Sequence, residues 1–297
     1  MEVGNALMRP VLEQPSVSFP PSVCISDLAP EDIAPHADWL HPRHIDPDSG
    51  DLQMSHHAWL IEVGGKRILV DPCVGNGRNR PAVPQYHMLD TPFLERLEAL
   101  GAPPESIDYV FCTHLHVDHV GWNTCQQDGR MVPTFPNARY LLPRVENDFW
   151  KLDLEGKLPG FHVFNSGIYA ECVLPVIEAG LADFVEQGHL VADCMTLIDA
   201  AGHTPGHMAG VLESHGEGAV FCGDAIHHPI QVLFPERPGP QHDSVQAGIT
   251  RRMLLDLCSD KDYWLAPGHF VAPHVCRIRR DGEAYRMVWA EEPVPYM

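Results

Sequence analysis

The chain has 297 residues, 20 of them basic and 40 acidic, for a formal net charge of −20. Such a balance repels nucleic acid rather than steering it in, and no apolar run approaches the roughly 20 residues that a bilayer span needs, so neither nucleic acid nor membrane is an expected partner. The length admits two domains, yet α/β folds of this size often stay single, with a sizeable core.

Nine scattered cysteines without a Cys-x-x-Cys pair read as reduced thiols in a cytoplasmic protein rather than as a disulfide framework or zinc ribbon. Met1 to Phe19 has neither a basic start nor an unbroken apolar core, so no signal peptide is expected. Residues 1–52 are rich in proline and acid and lack periodicity. They read as an N-terminal arm that could wrap a second subunit, giving a homodimer, or cover an active-site mouth.

From Met54 the pattern changes. His57 to Val63 and Arg67 to Val70 are two apolar strands joined by Gly64-Gly65-Lys66, a hairpin signal. Val74 to Pro81 is a loop. Phe93, Leu94, Leu97 and Leu100 recur at helical spacing from Pro92 to Leu100, and Gly101 ends the helix. Asp108 to Cys112 is a short apolar strand, Asn137 to Leu142 another, and a helix begins at Arg144. The stretch 151–188, with Phe161, Phe164 and Tyr169, is the least scaffold-like and a candidate wall of a substrate pocket. Leu190 to Asp224 reads as strand, loop, strand, turn, strand. A helix from Ser244 to Cys258 is capped by Asp243 and carries Val245, Ile249, Met253, Leu254 and Leu257 along one expected core face. A hairpin around Asp281-Gly282 follows.

Thr113-His114-Leu115-His116-Val117-Asp118-His119 places four metal-ligand candidates within six residues of a strand end. Residues two apart on an extended strand share a side, so His114 and His116 face one pocket. Asp118 and His119 fall just past the strand's end and need a loop or first helical turn there, which could carry them onto a second ion. Positions two apart do not share a helical face, so the spacing favours a strand-to-loop edge.

His-x-His-x-Asp-His is the signature of the metallo-β-lactamase superfamily, and the chain resembles that family at three later places in order. Ala201-Gly202-His203-Thr204-Pro205-Gly206-His207 looks like its next ligand loop, Phe221-Cys222-Gly223-Asp224 like the strand leading to its metal-bridging aspartate, and Ala266-Pro267-Gly268-His269 like its closing ligand. The resemblance runs from about Met54 to Trp289 and implies an α/β fold of αββα sandwich type, with residues 53–297 as the hydrolase domain. It further implies two divalent metal ions, zinc first, with iron, manganese and cobalt suited to the same donors. His114, His116 and His203 would hold one ion, Asp118, His119 and His269 the other, and Asp224 both. Asp71, in Leu69-Val70-Asp71-Pro72-Cys73, would hydrogen-bond a ligand histidine.

Two dications close together bring a water between them toward neutral acidity, so hydrolysis is the expected chemistry. Asp118 would also position that water. Val120-Gly121-Trp122-Asn123 departs from the Gly-Gly of glyoxalase II, and the runs around Asp118 and Asp224 resemble the branch of quorum-quenching lactonases and methyl parathion hydrolase-like enzymes. Many of those lactonases carry a tyrosine three residues after the bridging aspartate. Here that residue is His227, which could act as donor or acid near neutral pH, and Trp122 at the rim could contact an apolar substrate group. The leading expectation is a dinuclear hydrolase opening a lactone or a related small-molecule ester. Organophosphate triester or aryl ester hydrolysis is the alternative, and a di-iron redox protein, for which no flavin-binding partner domain is visible, the remote one.

Overall fold

A strand buried on both faces reads as a continuous apolar run rather than as an alternation, and the central strands of this chain are built so. A computed structural model describes residues 1–291, with the side chain of Phe161 outside the description. Strands β1 (Glu2–Val3), β2 (Ala6–Phe19), β3 (Leu52–Val63), β4 (Lys66–Val70) and β5 (Tyr109–Phe111) come first. A separate ribbon of β6 (Thr124–Gln127) and β7 (Arg130–Pro133) follows, and β8 (Arg139–Pro143) and β9 (Ala182–Val185) complete a seven-stranded sheet ordered β1-β2-β3-β4-β5-β8-β9. The second sheet has seven strands in sequence order: β10 (Leu190–Val191), β11 (Met195–Asp199), β12 (Met208–Ser214), β13 (Glu217–Gly223), β14 (Trp264–Pro267), β15 (Cys276–Asp281) and β16 (Ala284–Trp289).

Period-two alternation distributes each strand between two apolar layers. Trp59, Ile61, Ile68, Val70, Phe111, Ala219 and Phe221 point into the layer between the sheets. Their neighbours Ala58, Leu60, Leu69 and Val110 face outward, against Phe93 and Leu97 of the helix Phe93–Ala99 and Trp150 of the helix Arg144–Trp150. On the other side Val220 and Cys222 meet Leu254, Leu255 and Cys258 of the helix Ser244–Lys261. Helix, sheet, sheet, helix is the αββα sandwich.

Topology puts the chemistry at one edge. The pairs β4–β5 and β13–β14 are parallel, so each pair ends its strands at the same side. Asp71 follows β4, the 113–119 motif follows β5, Asp224 follows β13 and His269 lies two residues past β14. Parallel strands cannot be joined by tight turns, and the long connections they require carry the 113–119 motif and Asp224, while His203 and His269 lie in the loops of the antiparallel pairs β11–β12 and β14–β15.

Two expectations change. Residues 1–19, read as part of an arm, supply β1 and β2, and β2 pairs antiparallel with β3 along nearly its whole length. The following segment packs Cys24, Ile25, Leu40 and Ile45 on Ile230, and is tied down by Gln231 Nε2 to Cys24 O at 2.8 Å and an Arg237–Asp32 ion pair. In the helix Ser244–Lys261, Asp243 caps as expected, accepting from Val245 N and Gln246 N. Val245, Ile249 and Met253, however, are exposed. The buried face is chosen by close backbone approach: a Cβ on Gly202 would lie 2.4 Å from Ala247 N, so small Ala247 must face inward and the bulkier stripe turns out. The described residues contain no helix long and apolar enough to cross a membrane, and all nine cysteines are unpaired.

Gly121 closes the turn after the ligand motif, donating its N–H to Cys73 O at 2.7 Å. A Cβ there would sit 1.8 Å from Val74 O. Backbone cannot move aside as a side chain can, so Gly121→Ala should cost about 3 kcal/mol by denaturant titration; a loss below 1 kcal/mol would show that the two segments can part.

His44 stacks on Trp289 with ring centroids 5.0 Å apart, and its carbonyl oxygen accepts from His228 Nε2 at 2.8 Å. Burial pushes His44 down to about 3 and His228 to about 4. The unfolded chain therefore takes up protons below about pH 6.5 that the fold does not. Stability should fall with acidification from pH 6.5 toward 4, by about 1.4 kcal/mol per pH unit for each such histidine. His44→Phe, which keeps the ring on Trp289, should remove one increment from that slope; an unchanged slope would refute the assignment to His44.

Candidate metal centre

At the end of β5 the chain leaves extended geometry before His114, and Val117–Val120 forms one helical turn. His114 and His116 therefore converge through a loop rather than through strand alternation. His116 Nδ1 lies 3.0 Å from His114 Nε2 and 2.9 Å from His203 Nε2. Asp224 Oδ2 is 3.7 Å from His114 Nε2 and 3.3 Å from His203 Nε2.

These are lone pairs facing one another. His203 Nδ1 lies 2.7 Å from the acceptor Gln241 Oε1, so it carries the hydrogen and Nε2 does not. Thr113 Oγ1 donates to Asp71 Oδ2 and so accepts from His114 Nδ1 at 3.1 Å, which leaves His114 Nε2 bare. A cation relieves the repulsion, and four donors around zinc at ~2.05 Å would lie about 3.3 Å apart. His114, His116, His203 and Asp224 form one group able to hold an ion, and His119, Asp224 and His269 another.

In that second group His119 Nε2 and His269 Nε2 lie 3.1 and 3.0 Å from Asp224 Oδ1, and 3.2 Å from each other. His269 Nδ1 is 2.9 Å from Ser55 O, and His119 Nδ1 is 2.9 Å from Asp71 Oδ2. Each ring is thus backed on one nitrogen and bare on the other, as metal ligands are. Asp224 turns one oxygen to each group.

Electrostatics agrees with a demand for cations. Burial pushes His114 and His116 well below the usual histidine range, so they are neutral, the form that ligates. Burial opposes charge on His119 too, but Asp224, Asp71 and Asp118 outweigh it and hold His119 well above that range. Burial would likewise neutralise Asp224, yet His119, His227 and His269 around it hold its carboxyl well below the usual range.

All seven ligand candidates read from the sequence are brought together, with Asp118 on the periphery. Its Oδ1 is 4.0 Å from His119 Nε2 and its Oδ2 3.6 Å from His269 Nε2. Two residues that the sequence reading missed hold it: Tyr86 Oη donates to Asp118 Oδ2 at 2.8 Å, and His56 Nε2 lies 3.5 Å away. His56, Asp118 and His269 together form a third group of donors. The signal for His56 was a buried polar residue in a strand apolar on both faces; nothing local marked Tyr86. His207, also missed, accepts the Asp224 N–H on Nε2 at 3.1 Å.

His227 lines the cavity over the histidines, its Nε2 3.0 Å from Asp224 Oδ2. Trp122 does not reach the mouth. Its ring stacks on Phe93 at 5.4 Å and its indole N–H donates to buried Glu13 at 2.7 Å, because the helical turn after His119 rolls it into the outer core. A cavity of about 280 Å³ opens over the histidines, walled by Phe19, Val23, Met54, Val83, Val117 and Phe164. Tyr169 is buried, its hydroxyl on Asn147.

The model of the Metallo-beta-lactamase superfamily matches residues 53–269. A hydroxyacylglutathione hydrolase of Aeromonas salmonicida (strain A449) is 28% identical over 192 residues, covering 64% of this chain and 55% of that protein. An N-acyl homoserine lactonase of Bacillus cereus is 25% identical over 185 residues, 57% of this chain and 63% of that one. The chain thus spans little more than half of the relatives it matches, and they include the glyoxalase II group that Val120-Gly121-Trp122-Asn123 argued against. Among solved structures, the hydrolase AbOPH of the β-lactamase superfamily superposes with a TM-score of 0.81 at 24% identity, covering 99% of this chain and 97% of that one. AidC, a dizinc quorum-quenching lactonase, gives 0.78 at 17% identity over 99% and 97%. At these identities the superpositions establish the fold.

Glu146 braces both ligand loops. Its Oε2 accepts from Leu115 N at 3.1 Å and Trp150 Nε1 at 2.6 Å, and its Oε1 from Gly206 N at 2.8 Å. Burial raises its carboxyl above the ordinary range, so only these donors make a charge tolerable. Glu146→Gln must turn its NH₂ toward at least one N–H. It should cost about 2 kcal/mol in denaturant titrations and weaken zinc binding measured by competition with a chromogenic chelator; unchanged zinc affinity would mean that the loops hold their geometry unaided.

Proposed function

From the chain's membership of the metallo-β-lactamase superfamily, to which it belongs over residues 53–269, we propose that it is a dinuclear metal-dependent hydrolase that opens a lactone or a related neutral ester. The observation that carries the reading is Asp224, whose two oxygens face two separate imidazole groups beneath one apolar-walled cavity. His114, His116 and His203 would hold one ion, Asp118, His119 and His269 the second, and Asp224 both, with zinc first among the metals that suit these donors. Bound there, the ions would supply an acidified water as nucleophile and polarise the scissile carbonyl.

The remaining roles belong to the chain. Asp118 orients the water and holds its proton. His227, hydrogen-bonding distance from Asp224, offers a donor to an oxygen of the substrate. Phe19, Val23, Met54, Val83, Val117, Phe164 and Pro240 exclude water from the space above.

The walls also argue for substrate class. Among the described residues neither Lys nor Arg lines the cavity, and the chain carries −20. A glutathione thioester brings carboxylates that would find no cationic side chain in those walls. A neutral lactone or alkyl ester meets only apolar contact and the donors of the floor. The same features admit a neutral phosphate triester, which makes that class the second reading.

Purified protein should contain about two equivalents of divalent metal, and Asp224→Ala fewer than one. Removal by chelator should abolish hydrolysis, and zinc, manganese or cobalt restore it; hydrolysis without metal would overturn the mechanism. Across homoserine lactones, γ- and δ-lactones, aryl esters, paraoxon and a glutathione thioester, lactones should turn over fastest. Turnover confined to paraoxon would move the substrate to the second reading.

A further inference from the structure

We propose that Tyr86 is a catalytic residue, its phenol donating a hydrogen bond to the alkoxide oxygen as the acyl–oxygen bond breaks; the inference rests on the hydrolytic reading above. Apart from ligand candidates, the residues that line the mouth cavity are apolar except for two, His227 and Tyr86. Each stands beside a different carboxylate: His227 Nε2 is 3.0 Å from Asp224 Oδ2, and Tyr86 Oη donates to Asp118 Oδ2 at 2.8 Å. Ester hydrolysis charges two substrate oxygens in turn, first the carbonyl oxygen and then the departing one. Two neutral donors, each beside its own carboxylate, match that need.

The phenol is held for this. Its ring lies edge-on to His56, centroids 5.2 Å apart, and tilted against Phe19 at 6.1 Å. His56 Nε2 is 3.1 Å from Tyr86 Oη, so a proton on that nitrogen donates to the phenol oxygen and leaves the phenol's own hydrogen to point forward. The loop that carries Tyr86 is pinned to the ligand segment. Arg78 Nη2 donates to Gly121 O at 2.8 Å and Thr124 O at 2.6 Å, and Met88 N donates to Arg78 O at 2.7 Å. Asp118 takes the phenol hydrogen when the cavity is empty of substrate, and an ester oxygen entering the cavity competes for it.

The step balances without a further reagent. The oxygen of water bonds to the acyl carbon, the bond to the alkoxy oxygen breaks with both electrons on that oxygen, and the proton released by the attacking water ends there. Tyr86 keeps its own proton throughout.

Tyr86→Phe preserves the ring contacts and removes only the donor. In zinc-loaded protein of unchanged metal content, kcat for a γ-lactone should fall roughly 10²-fold with KM little altered, while p-nitrophenyl butyrate, whose leaving group needs no assistance, should lose only a few-fold. Calorimetric affinity for hexylphosphonate, a tetrahedral anion, should fall about tenfold. Equal losses on both esters together with lost metal would show that the phenol merely holds Asp118, and unchanged lactone turnover would equally overturn the proposal. Should the wild type with metals bound hydrolyse none of these esters, the hydrolytic reading itself fails; phosphonate affinity unaffected by Tyr86→Phe would then remove the donor role as well.

Discussion

A carboxylate buried among imidazoles is the constraint on which the architecture turns. Asp224 is 4% exposed, with His114, His119, His203, His227 and His269 about its two oxygens. Taking a carboxylate out of water costs several kcal/mol unless positive charge compensates it. Neutral rings such as His114 provide no charge, and protonating His119 and His269 compensates only in part, because they repel each other across 3.2 Å. Divalent cations remove both costs at once. Metal uptake and folding stability are thereby coupled, since the folded state is the one that assembles the donors.

Holding so many bare nitrogens toward one another demands backing groups, and these come from every layer. Asp71 at the end of β4 takes Thr113 N at 2.7 Å and lies beside His119. The carbonyl of Ser55 in β3 backs His269, Gln241 backs His203, and His207 holds the Asp224 backbone. Glu146 stitches the first ligand loop to the second. Two sheets meeting at an edge where parallel strands end offer this convergence, because backbone from both can approach one point without either sheet being interrupted. Small residues make the approach possible: Gly121 lies against Val74, Gly202 against Ala247 and Gly223 against Thr113.

What could be read from the sequence follows from the range of the forces involved. His114 through His119 are bound by local spacing, and Gly223-Asp224 and Gly268-His269 by short strands with distinctive ends, so the motif grammar sufficed. Tyr86 and Asp118 are 32 residues apart, and Glu146 and Gly206 are 60 apart; no local pattern encodes such pairings. Trp122 was misjudged because adjacency to the motif says nothing about the direction in which a helical turn sends a side chain. The stripe on the helix Ser244–Lys261 held only in part, with Leu254 buried and Leu257 packed against the core but Val245, Ile249 and Met253 exposed, because periodicity finds the bulkiest stripe whereas the first turns are held by the smallest contact, Ala247 on Gly202. The first 19 residues escaped notice as strands because β2 contains prolines, which a strand hydrogen-bonded mainly on one side can accommodate.

Chemistry and choice of substrate are held by different kinds of structure. The ligand candidates sit at strand ends and in the loops those strands fix, and their rings are backed by backbone or by buried carboxylates. The walls of the mouth come from connections: Phe19 and Val23 where β2 gives way to the segment before β3, Val83 and Tyr86 in the loop after β4, Phe164 in the segment between β8 and β9, and Pro240 before the last long helix. Loops tolerate substitution and insertion far better than strand ends do. One floor can therefore serve differently charged substrates in different chains, provided the walls supply cations where the substrate is anionic. In this chain the described residues of the walls include neither Lys nor Arg, and the surface field of a protein at −20 acts in the same direction before a substrate arrives. On the hydrolytic reading proposed above, discrimination against anionic substrates would begin at the encounter and be completed at the wall.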